Sequence, residues 1–256
     1  MLQAHSLLWH YLWVAPNILL ISLAFLLWSR GRHKQYPIFF AFAILAAIEQ
    51  LVLYASDISP SVTPRTWWII FWSGLMFEGL LKFALIGEIF ALVFDPYPSL
   101  AQLGKFLIRG LGIFLVLAAA VAAGFAKKDT MFGIVTGAHL LEQTIYLVAS
   151  GLLVFIFGFS AYFRLTPSRP VFGIALGLGI SACVHLATWA ILANGGLPTA
   201  KRGILDLVNM ATYHICVLIW SYYLLVPAKT TVNLAVALPE NNLDIWNREL
   251  ERLVHP

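Results

Sequence analysis

Charge is what this sequence has least of. Asp, Glu, Lys and Arg make up 11% of its 256 residues, against about 25% in an ordinary soluble domain. Hydrophobic residues make up 61% and the mean hydropathy is +0.84. So little polar surface cannot coat a water-soluble globule of this length, which leaves an integral membrane protein. Cysteine is almost absent: Cys183 and Cys216 both lie inside apolar runs, so a disulfide framework is excluded. The net charge of +4 comes without any basic cluster interleaved with aromatics, so the expected partner is the lipid bilayer and not nucleic acid.

Chemical signatures are missing too. The sequence contains no phosphate-binding loop, no dinucleotide fingerprint, no GxSxG and no HExxH. The last apolar run has no lysine of the kind that holds retinal in microbial rhodopsins, no Pro-Gln motif occurs, and the paired-histidine motif of alkaline-ceramidase-like hydrolases is absent. No Lys or Arg precedes the first apolar run, so that run reads as a retained span and not as a cleaved signal peptide.

What is present is a series of seven apolar runs: Leu7–Ser29, Tyr36–Ala55, Thr66–Phe94, Gly104–Ala126, Ile134–Phe163, Val171–Ala193 and Ile204–Val226. Proline- and glycine-bearing stretches separate them, as between Asp57 and Arg65 or Asn194 and Gly203. A backbone crossing hydrocarbon must satisfy its own hydrogen bonds, so each run is expected to be a helix. The expected fold is all-α: a polytopic seven-helix transmembrane domain over residues 1–226 and a tail over 227–256. Counting Lys and Arg between the runs gives nine on one side, including Arg30, Arg32, Lys34 and Arg169, against five on the other. The richer side is the cytoplasmic one, which places the N-terminus outside and the C-terminus inside, in the plasma membrane. In the tail, Leu243, Trp246, Leu250, Leu253 and Val254 form one apolar stripe of a short amphipathic helix. It would lie on the membrane, dock under the bundle or meet a cytoplasmic protein partner.

Ionisable side chains inside hydrocarbon cost several kcal/mol each, so every one asks for a reason. The third run carries Glu78 and Lys82 near its middle, in the i, i+4 order that favours an ion pair, and Glu88 further on. With about 1.5 Å of rise per residue, Glu49, His139, Glu142, Asp206 and Asn209 fall in the outer half, while His185 and His214 lie near the midplane. His139, Glu142, Gln143, Tyr146 and Ser150 share one face of the fifth run; Asp206, Asn209 and Tyr213 share one face of the seventh, with His214 at its edge. Such faces turn inward, and the simplest result is a polar cavity open to the outside.

The expected ligand-binding residues are Glu49, Glu78, Lys82, Glu142, Tyr146, His185, Asp206, Tyr213 and His214. A small molecule or ion bound there, with no enzyme domain attached, reads as a sensor or receptor-like protein. Two alternatives use the same residues. In one, His139, Glu142, His185 and His214 hold zinc or iron, or His185 and His214 ligate haem, in an intramembrane enzyme. A Cys183–His185–His214–Cys216 set is ruled out, because residues two apart on a helix point about 200° apart. In the other, the protein is a small-solute or proton-coupled transporter in which Glu88 completes an inner path.

Overall fold

The computed structural model describes residues 6–94, 143–151, 167–193 and 199–226, with isolated positions between 102 and 121 and between 153 and 158. These residues are helical or in turns, and among them there is no strand. Among the described residues, five helices are long and apolar enough to cross a bilayer: α1 (Leu7–Ser29), α2 (Pro37–Ile58), α3 (Pro64–Val93), α4 (Arg169–Ala193) and α5 (Thr199–Leu225). The protein is a multi-pass membrane protein. Its outer surface agrees, since Leu19, Phe25, Leu45, Phe77 and Ile215 are exposed around the helices where lipid tails replace water.

Five of the seven expected spans thus correspond to helices, with ends shifted by a few residues. Residues 143–151 form a helical stretch inside the expected fifth span. Most of the expected fourth span and the whole 227–256 tail lie outside the described residues.

Local chemistry sets the helix ends. Ser6 caps α1 by accepting a hydrogen bond from the Trp9 N–H at 3.3 Å. Gly31 ends it in the left-handed region at φ 68°, a conformation that costs glycine nothing. Thr63 caps α3, accepting from the Thr66 N–H at 3.2 Å, with Pro64 following where no donor is needed. α2 begins at Pro37 and has no side-chain cap of its own. Glu88 of α3 supplies it: its two carboxylate oxygens accept from the Ile38 and Phe39 N–H groups at 2.9 and 3.0 Å.

Contacts fix the directions. Trp13–Gln50 and His10–Tyr54 run α1 and α2 antiparallel, and Glu49–Gly74 with Ile38–Glu88 do the same for α2 and α3. Asn17–Tyr213 and Arg30–Leu225 make α1 and α5 parallel. Thr188–Asn209 and Gly177–Trp220 set α4 against α5. One end of the bundle therefore gathers the starts of α1, α3 and α5 and the finish of α2 and α4.

At the opposite end the helices close on an apolar core. Leu20, Leu27, Phe39, Phe42, Leu85, Ile86 and Ile174 are fully buried there. Trp220 meets Phe39 and Phe42 edge-on at 5.6 and 5.8 Å and donates its indole N–H to the Ile174 carbonyl at 3.2 Å. α4 reaches α5 this closely only because Gly173 and Gly177 have no side chain: a Cβ at either would collide with Tyr223 or Trp220. Arg30 and Arg32 then reach over and donate to the Leu225 and Leu224 carbonyls, unpaired acceptors at the C-terminal end of α5. Arg169 lies 5.0 Å from the Tyr222 ring centre.

Candidate functional site

Above that core, at the end where α1, α3 and α5 begin, the helices part around a cavity of about 420 Å³. Its floor is polar. Lys82, buried in the bundle, places its ammonium 2.8 Å from Glu78 Oε1 and donates to the Tyr146 hydroxyl at 2.8 Å. The ammonium is 4.8 Å from the Tyr146 ring centre. With the hydroxyl at 2.8 Å, that puts it past the oxygen and beyond the ring edge, so the contact is a charge-assisted hydrogen bond and not a cation over a π face. Each charge thus has an ionic partner in a place where an unpaired one would be very costly.

The walls come from every described helix. His185 of α4 stacks on Tyr146 at 4.6 Å, and its Nδ1 is 3.2 Å from the Ser181 carbonyl. A carbonyl only accepts, so that nitrogen carries the proton, and in the neutral ring Nε2 is left as an acceptor. On α1, Asn17 is buried beside Pro16: its amide donates to the Trp13 carbonyl at 2.6 Å and its oxygen accepts from the Tyr213 hydroxyl at 3.2 Å. Pro16 has no N–H, so the Leu12 carbonyl, on a residue lining the cavity, lacks its usual helical donor. Trp13 donates to Gln50 Oε1 at 3.2 Å, which fixes its indole against the wall. Trp9, Trp67 and Phe71 surround the upper part, where Asp57 of α2 and Asp206 of α5 also face in.

Of the residues expected to bind a ligand, Glu78, Lys82, Tyr146, His185, Asp206 and Tyr213 line this cavity. Glu49 does not; its carboxylate lies across Gly74 of α3, where a Cβ would overlap it. His214 does not either: it stands 5.7 Å from Tyr11, and its Nδ1 is buried without a partner among the described residues. His139 and Glu142 lie outside the described residues. Among the described residues no three His, Cys, Asp or Glu side chains are grouped to hold a metal ion. His185 and His214 do not share the cavity, and the two cysteines are free.

Sequence reasoning missed Trp13, Asn17, Gln50 and Ser181. Asn17 had a signal, being a carboxamide in mid-span beside a proline. Trp9 and Trp67 also line the cavity. Comparison with protein-family models, with curated proteins and with solved structures returns no match.

Proposed function

We propose that this protein is a seven-span, receptor-like sensor of the plasma membrane, with its N-terminus outside, and that it binds a small ligand in the cavity at its outer end. The observation that carries this reading is a cavity open at one end of the bundle and sealed at the other. Directly below Lys82, Leu85, Ile86 and Ile89 are buried among side chains of the other helices. A blind pocket suits binding better than passage. Glu88, the group an inner transport path would use next, is already engaged by two backbone N–H groups of α2.

Two arguments support seven spans. The helical stretch 143–151 runs antiparallel to α4, given Tyr146 against His185 and Phe157 against Phe172. It therefore runs the same way as α3, and a chain leaving α3 at one end and beginning this stretch at the other has to cross once in between. Described positions from 102 to 121 are helical, which fits one such crossing. The proposed orientation is supported by Arg30, Arg32, Lys34 and Arg169 gathering at the sealed end, a charge pattern that suits a cytoplasmic face.

The test has two parts. In a background with Cys183→Ser and Cys216→Ser, a cysteine at Ser61 should react with an impermeant thiol reagent on intact cells and one at Gly31 should not; the reverse pattern would invert the topology. Purified protein in nanodiscs should gain thermal stability from some member of a small-molecule library, and Ser181→Phe, which puts bulk into the cavity, should abolish that gain. Stabilisation that survives the substitution would sink the cavity assignment.

A further inference from the structure

We infer that the cavity is built for an organic cation, a primary or secondary amine with an apolar body, and not for an anion or a metal ion. This rests on reading the cavity as a ligand site and specifies the chemistry it would accept.

Charge comes first. Leaving out Asp57, which is engaged elsewhere, two carboxylates, Glu78 and Asp206, face the cavity against the single ammonium of Lys82 among the described residues, a surplus of one negative charge. Glu78 and Lys82 satisfy each other at 2.8 Å. The surplus is therefore carried by the mouth, where Asp206 makes no ion pair among the described residues and is exposed to whatever enters. An anion entering would meet the unpaired Asp206 carboxylate at the mouth.

Hydrogen-bonding capacity points the same way. Lys82 already donates to Tyr146, Tyr213 to Asn17 and Trp13 to Gln50. The wall keeps acceptors open in His185 Nε2 and the carboxylate of Asp206, beside one buried open donor, the Trp67 indole N–H. The Leu12 carbonyl, released from the helix ladder by Pro16, adds a third acceptor at this level of α1. A protonated primary amine brings three N–H donors and no acceptor, which complements such a wall.

The body of the ligand is set by the rings. Trp9 and Trp13 meet edge-to-face at 4.4 Å and 84°, and Trp67 stacks on Phe71 at 5.3 Å and 8°, on two different helices bordering the same cavity. Indole faces attract organic cations that have shed their water, and they leave room for apolar groups. A bare metal ion would find nothing on these faces, and no three ligating side chains are grouped for it among the described residues. A volume of about 420 Å³ lies in the range that encloses small organic ligands.

The experiment uses the full chain in phosphatidylcholine nanodiscs and three probes that share a phenyl ring: phenethylamine, 2-phenylethanol and 3-phenylpropionate. Binding is followed by tryptophan fluorescence and by the thermal midpoint, with empty nanodiscs as the partition control. The amine should saturate and bind about tenfold more tightly than the alcohol, with the propionate weakest. Asp206→Asn should remove most of the amine's advantage while leaving the alcohol unchanged, and Asp206→Glu should restore it. Trp67→Leu, on another helix, should also weaken the amine more than the alcohol.

Propionate binding as tight as the amine, or an amine-to-alcohol ratio untouched by both Asp206→Asn and Trp67→Leu, would overturn the cation assignment while the cavity reading stood. Failure of all three probes to saturate would remove the cavity reading and this inference together.

Discussion

The two ends of the bundle are built from the same helices and differ in nearly everything else. At the sealed end, α4 and α5 touch through Gly173 and Gly177, and Trp220 fills the space between three helices with Phe39, Phe42 and Leu224 buried around it. At the open end the helices stand apart, held at their edges by single hydrogen bonds such as Trp13–Gln50, Tyr54–His10 and Tyr213–Asn17. Dispersion between close-packed surfaces is what joins helices in lipid, where no hydrophobic drive exists between them. The sealed end therefore supplies the stability. The open end is free to give up packing for a site.

That contrast can be broken in graded steps. The largest effect is expected at the junction of the two halves: Lys82→Met leaves Glu78 buried without its partner and should cost about 3–5 kcal/mol in a steric-trap or denaturant unfolding assay. Adding Glu78→Leu should recover most of that loss, and failure to recover would mean that Lys82 serves something beyond neutralising Glu78. Next is Gly177→Ala, whose added methyl meets the Trp220 indole and should cost about 1–3 kcal/mol by the same measurement. Glu88→Gln replaces a carboxylate serving two N–H groups with an amide that keeps one acceptor oxygen, at about 1–2 kcal/mol, and local exchange should rise first at Ile38 and Phe39. Smallest is Asp206→Asn, at the open mouth, which should shift stability by no more than about 0.5 kcal/mol. If Asp206→Asn destabilised more than Gly177→Ala, the division of labour between the two ends would be wrong.

How much of this could be read beforehand follows the range of each interaction. Spans were legible because hydropathy and the helix repeat are local: α1 was expected at Leu7–Ser29 and is found there. The Glu78–Lys82 pair was legible for the same reason, both partners lying within one turn of one helix. Rotation about a span was poorly legible: Glu49 faces Gly74, and His214, one residue from Tyr213, is turned about 100° from it and misses the cavity. Pairings across helices left no mark in any single segment. The role of Glu88 as a cap for α2, some fifty positions earlier in the chain, needed the α2–α3 register, which only the fold provides. Trp13 and Gln50 were invisible for the same reason, being ordinary in their own helices and joined only by the antiparallel meeting of α1 and α2.

Arg30 and Arg32 tie the end of α1 to the last carbonyls of α5, at the sealed end of the bundle. A lever clamped at one end has its fulcrum there. Any motion that widens or narrows the mouth is then large at Asp206 and nearly nil at Leu225, so sideways displacement dies out before Val226. Torsion about the α5 axis is not lost in this way, because a rigid rod twists along its whole length. A motion of the mouth that reached Val226 would therefore arrive there as a turn of the α5 shaft.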